Sequence, residues 1–73
     1  MTLKKKFKFI EFIANKDNTW TCVNKRHRDV LGGVSYYPDW DEFVFEPTQG
    51  TVFSALCLAD IYDFVRALNR GEA

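Results

Sequence analysis

The final third of the chain limits its fold most narrowly. Cys57, Leu58, Ile61, Phe64, Val65 and Leu68 recur at helical spacing and fall within an arc of about 120°. A helix over Ala55 to Asn69 with one apolar face of that width needs a flat apolar layer to lie on. Ser54 is suited to cap its start, Phe53 to pack against Leu58 as a hydrophobic staple, and Gly71 to end it.

The preceding residues supply that layer as short strand-like segments separated by turn clusters. The first runs from about Lys6 to Ile13, with Phe7, Phe9, Ile10, Phe12 and Ile13 dense enough for a strand that is apolar on both faces. Asn15 to Asn18 turns the chain into a second strand, about Thr19 to Asn24, where Trp20 and Cys22 alternate with Thr21 and Val23. A third spans about Val30 to Tyr37, and its Gly32 and Gly33 suggest a bulge or a ring packed on bare backbone. After Pro38 and Asp39, a fourth runs from about Glu42 to Glu46, with Phe43 and Phe45 on one face and Val44 on the other. The expectation is an α+β domain, a four-stranded antiparallel meander with one C-terminal helix on one face, ββββα over residues 1–73. Residues 1–5 are expected to form a flexible basic tail. Whether the first segment pairs with the second strand or the fourth is open at this level.

At 73 residues the chain has too little interior for both a core and a deep substrate pocket, so a binding module is expected and an enzyme is not. An apolar share of 47% sets it apart from disordered sequences. No apolar run reaches the roughly 18 residues of a membrane span, and Lys8 and Glu11 break the stretch after Lys4, Lys5 and Lys6, unlike a signal peptide. A soluble, cytoplasmic protein is expected. Cys22 and Cys57 fall on apolar faces and read as reduced core thiols. One histidine without a close cysteine pair cannot build a usual zinc site, and no cofactor is implied.

The zero net charge conceals a division. Residues 1–28 hold eight Lys or Arg against two acids, and residues 29–73 hold two against eight. A meander would gather Lys4 to Lys6 with Lys25 to Arg28 at one end of the sheet, with Asp39, Asp41 and Glu42 at the other. Pairing of the first segment with the fourth strand would cancel much of that polarity. Lys5, Lys6, Lys25, Arg26, His27 and Arg28 are the candidates for binding phosphate or nucleic acid. Tyr36, Tyr37 and Trp40, with Asp39, Asp41 and Glu42, are the candidates for a protein partner, since amphipathic aromatics serve as anchors. Edge strands or opposite charge poles would also allow copies of the chain to associate. Asp60, Asp63, Arg66 and Arg70 read as a solvated outer helix face.

From Trp20 to Asn69 the order of residues resembles a loosely defined family of short uncharacterised proteins of phages and bacterial genomes. Trp20, Val23, Asn24 and Lys25 carry the resemblance, followed by Leu31, Gly32, Val34, Tyr36, Tyr37, Trp40, Phe43, Phe45 and Pro47. Val52, Phe53, Cys57, Leu58, Ile61 and Phe64 complete it. These are mostly folding residues, so the resemblance implies a shared fold more than a shared activity, with no cofactor and no catalytic residue. Such sequences commonly carry a basic residue just after the position of Trp40, where this chain has Asp41 and Glu42; that departure counts against nucleic-acid binding by this turn. The resemblance implies an accessory protein of a phage or mobile element. The leading expectation is a non-catalytic interaction protein that binds and modulates a host or viral protein. The alternative is a nucleic-acid-binding module using the basic end.

Overall fold

The computed structural model of the chain describes residues 3–71. Its order is β1 (Ile10–Ala14), β2 (Trp20–Asn24), β3 (Val30–Tyr37), β4 (Glu42–Pro47) and α1 (Ala55–Asn69). The strands form one open antiparallel sheet in the order β1-β2-β3-β4, so β1 pairs with β2 and the two ends of the meander stay apart. This is the expected α+β arrangement. Ser54 caps α1, its Oγ accepting from the Cys57 amide at 3.2 Å. Gly71, with φ 78°, follows the helix in the left-handed conformation that glycine adopts without steric cost.

The core lies between the sheet and α1 and is organised by rings. Phe64 stacks face to face on Phe12 at 3.8 Å between centroids, and meets Trp20 edge-on at 5.1 Å. Phe7 packs edge-on against Phe12 at 5.9 Å. Ile10, Cys22, Val34, Ile61, Ala67 and Leu68 complete the buried cluster. The apolar stripe of α1 is rotated slightly from the expected one. Ala67 is buried, whereas Leu58 is 52% exposed and Phe53 packs instead against Phe45 at 5.7 Å. On the opposite face of the sheet, Val23 is buried across from Glu11, and Thr21, Ser35 and Val44 are half-buried.

The first expected strand is corrected at its start. Instead of extending from Lys6, the chain reverses over Phe7 to Phe9. The Phe7 amide donates to the Ile10 carbonyl at 2.9 Å and the Phe12 amide to the Lys5 carbonyl at 2.8 Å, with Lys6 bridged to Glu11. Folding back delivers Leu3 and Phe7, both buried, to the core and gives the outer edge of β1 a backbone partner. Residues 3–5 of the expected tail thus lie against the sheet, while Met1 and Thr2 fall outside the described residues.

The interior of β3 shows both features its glycines suggested. Cys22 is opposite Gly32 but Val23 is opposite Val30, which leaves Leu31 as an extra residue in a bulge. Gly32 also lies under the Phe45 ring, so close that a Cβ there would come within 2.5 Å of Phe45 Cζ and 2.6 Å of the Glu46 carbonyl oxygen.

Both cysteines are free thiols. Burial pushes the Cys22 thiol up to about 11 from 9.0, with Cys57 nearby adding to the effect. The folded chain resists ionising this group more than the unfolded chain does. Its contribution to stability is therefore full below about pH 9 and is lost as pH rises through about 11. Urea unfolding should show a smaller fall in stability between about pH 8 and pH 10.5 in Cys22→Ala than in the parent, even though the variant starts lower. Equal falls would place the alkaline sensitivity elsewhere.

Candidate functional site

The β3–β4 turn forms one end of the sheet. Trp40 N–H donates to the Tyr37 carbonyl at 3.1 Å and Asp41 N–H to that of Pro38 at 3.2 Å. Asp41 has φ 53°, a left-handed turn conformation that aspartate tolerates better than most residues. Strand alternation sends the side chains of Tyr36 and Tyr37 to opposite faces. Tyr36 turns to the helix side, edge-on to Phe43 at 5.7 Å, and its hydroxyl donates to the Asp41 carboxylate. That bond to a carboxylate holds the Tyr36 phenol above its ordinary pKa.

Tyr37 lies on the open face, 4.9 Å from Trp40 between ring centroids. The pair borders a cleft of about 280 Å³ lined also by Val44, Phe45 and Glu46. Trp40 is 65% exposed, which leaves most of a large apolar ring facing water. Asp39, Asp41 and Glu42 are exposed along the same turn. Of the residues expected to meet a protein partner, the structure therefore gathers Tyr37 and Trp40 on the exposed turn and separates Tyr36, with the Asp41 carboxylate it bonds, from them. Val44 and Glu46 join the cleft without having been expected there. Their signal was the alternation that sets Val44 apart from Phe43 and Phe45.

The β2–β3 tip forms the opposite end, roughly 25 Å away along the eight residues of β3. Asn24 organises it by accepting at Oδ1 from the Arg26 amide at 2.9 Å and the His27 amide at 3.0 Å. Its backbone carbonyl accepts from Arg28 N–H at 2.7 Å, and Arg28 takes φ 61°. Lys25 ties this tip to the N-terminal reversal: its amide donates to the Phe9 carbonyl and its Nζ to the Phe7 carbonyl at 3.0 Å. Arg28 bonds Glu11 at 3.0 Å and holds that carboxyl below its ordinary pKa.

A cleft of about 360 Å³ results, lined by Lys8, Phe9, Asn24, Lys25, Arg26 and His27. The expected gathering of Lys4 to Lys6 with Lys25 and Arg28 holds for Lys6, whose charge acts on Glu11 together with theirs, and is corrected for Lys5 by the reversal of the chain. Lys6 is bridged to Glu11, and Lys5 runs back along β1 until its ammonium lies 5.9 Å from the Trp20 ring. Lys4 lies over the Phe7 ring at 4.8 Å. Lys8 and Phe9 take their place at the tip, a consequence of tertiary folding that spacing along the sequence does not reveal.

Among the described residues no three His, Cys, Asp or Glu side chains converge to hold a metal ion, and no helix is long and apolar enough to cross a membrane. Compared with protein-family models, curated proteins and solved structures, the chain matches none.

Proposed function

We propose that this chain is a small non-catalytic interaction protein that binds and modulates a protein partner through the Tyr37 and Trp40 end of its open sheet face. One observation carries the reading: Trp40, 65% exposed, is braced edge-on by Tyr37 beside Val44 and Glu46, on a turn whose Asp39 and Glu42 are exposed. Two braced rings lose little side-chain freedom on binding, the property that makes aromatic residues effective anchors. The acidic margin favours a partner that presents an apolar patch with lysine or arginine around it. The resemblance to short phage-borne proteins supports an accessory role toward a host protein in the bacterial cytoplasm.

Trp40→Ala should weaken a partner isolated with the parent protein by roughly 30-fold or more, about 2 kcal/mol, with an unchanged circular dichroism spectrum. Arg26→Ala, at the other end of the sheet, should leave that affinity intact. A partner held equally by the parent and by Trp40→Ala would overturn this reading.

A second reading rests on the basic cleft, where Lys8, Lys25, Arg26 and His27 surround the 45% exposed Phe9 ring. Cations beside an exposed ring suit a single-stranded nucleic acid, with a base stacked on the ring and phosphates along the cations. Such binding would weaken steeply with added salt. A mobility-shift experiment without any retarded band at low salt would eliminate it.

A further inference from the structure

The side chain of Asn69, the last residue of α1, behaves as a piece of neighbouring strand. Its Oδ1 accepts from the Phe43 amide at 2.6 Å and its Nδ2 donates to the Phe43 carbonyl at 3.2 Å. An antiparallel strand would make the same exchange with a residue in a hydrogen-bonded pair. Phe43 therefore points its backbone polar groups away from β3, and Phe45 and Pro47 share that outward direction by the two-residue period. The Thr48 amide, which donates inward to the Leu31 carbonyl at 2.9 Å, fits the same phase. Along the outer edge of β4, the Phe43 groups are occupied, Pro47 has no N–H, and Phe45 alone offers both a donor and an acceptor.

We infer that Asn69 is a clip on the β4 edge that holds the chain apart from a second copy of itself. The partner this edge fits, once the clip is released, is β4 of that copy in antiparallel register about Phe45. The edge is self-complementary about that residue. The two Phe45 residues would exchange hydrogen bonds, and each Phe43 N–H would meet the Pro47 carbonyl of the other copy. In this register Val44 faces Glu46, so no like charges are directly opposed. Such a two-fold contact closes on itself and extends one sheet through both copies. With Asn69 in place the Phe43 groups are already paired, so the ladder is reduced to its centre. The backbone edge involved adjoins the Tyr37 and Trp40 cleft and shares Val44, Phe45 and Glu46 with it, but the inference does not rest on the proposed function.

The test compares the parent, Asn69→Ala and Asn69→Ala with Pro47→Val by sedimentation and by amide hydrogen exchange. Alanine favours the last helical turn, so loss of the clip need not cost the fold. In dilute parent protein the Phe43 amide should exchange at least about tenfold more slowly than that of Phe45, and in dilute Asn69→Ala this difference should vanish. At higher concentration Asn69→Ala should dimerise at least about tenfold more tightly than the parent. Adding Pro47→Val, which supplies the missing outward N–H, should tighten it further. A Phe43 amide as open as Phe45 in the parent overturns the clip, as does a parent that already dimerises as tightly as Asn69→Ala. An Asn69→Ala protein with a freely exchanging Phe43 that stays monomeric overturns the second copy as occupant. Absence of any gain from Pro47→Val overturns the register.

Discussion

Phe64→Ala should lose about 3–5 kcal/mol of unfolding free energy, the range for removing a buried aromatic side chain. Phe64 is 1% exposed, and no other side chain joins helix to sheet through as many rings: it lies flat on Phe12 from β1 and edge-on to Trp20 from β2. Removing it opens a cavity at the centre of a small core, which has few neighbouring side chains free to collapse inward. Since whole domains are stable by only about 5–15 kcal/mol, this single change brings the chain close to unfolding. Urea midpoints would measure the loss, with Tyr62→Ala as the control, because Tyr62 is 61% exposed on the same helix. A loss below about 1 kcal/mol would show that the ring stack does not hold α1 on the sheet.

Gly32→Ala should cost about 1–3 kcal/mol although it adds only a methyl group. The Phe45 ring can yield to the new Cβ. The Glu46 carbonyl, 2.6 Å away, belongs to the β4 backbone, and moving it disturbs the β3–β4 ladder. The neighbouring residue provides the contrast, since a Cβ at Gly33 would meet only the Trp20 carbonyl oxygen at an ordinary 3.4 Å. Gly33→Ala should therefore change stability by less than about 0.5 kcal/mol. Equal effects at both positions would mean that the cost comes from strand conformation and not from the approach of β4.

The difference between these two glycines shows where reading the sequence stops. A glycine pair within a strand pattern announces a bulge or a close approach, and both occur here. Which glycine lies under a ring depends on the β3–β4 register, which sets Gly32 opposite Pro47 and diagonal to Phe45. The boundaries of α1 and β3 were legible because capping chemistry and periodicity act locally. The reversal over Phe7 to Phe9 was not. Phe7, Phe9, Ile10 and Phe12 suit a strand buried on both faces equally well, and the deciding contributions are tertiary: burial of Leu3 and the edge contact of Phe7 with Phe12.

The rotation of α1 has the same origin. The sheet is met on the Ala67 side of the stripe, where Ile61, Phe64 and Leu68 are also buried, and Leu58 is left at the margin. At the candidate sites, residue types were legible and their grouping was not. Tyr36 and Tyr37 are adjacent in sequence and point to opposite faces. Lys8 reaches the tip that Lys5 leaves only because the chain doubles back. Asn69 gave no signal at all, since an amide at the end of a helix ordinarily reads as solvated.

The two outer edges of the sheet restrict what kind of molecule the chain can meet. One lies beneath the returning N-terminal segment, and the other is held by Asn69 and interrupted by Pro47. An unstructured linear motif that binds by adding itself to a sheet would find no free row of amides on either side. A ligand of the proposed Tyr37 and Trp40 cleft would have to be held by side-chain contacts on the open face and not by main-chain pairing at an edge. Affinity for such a ligand would follow its side chains and be indifferent to the loss of its backbone amides, for example by N-methylation.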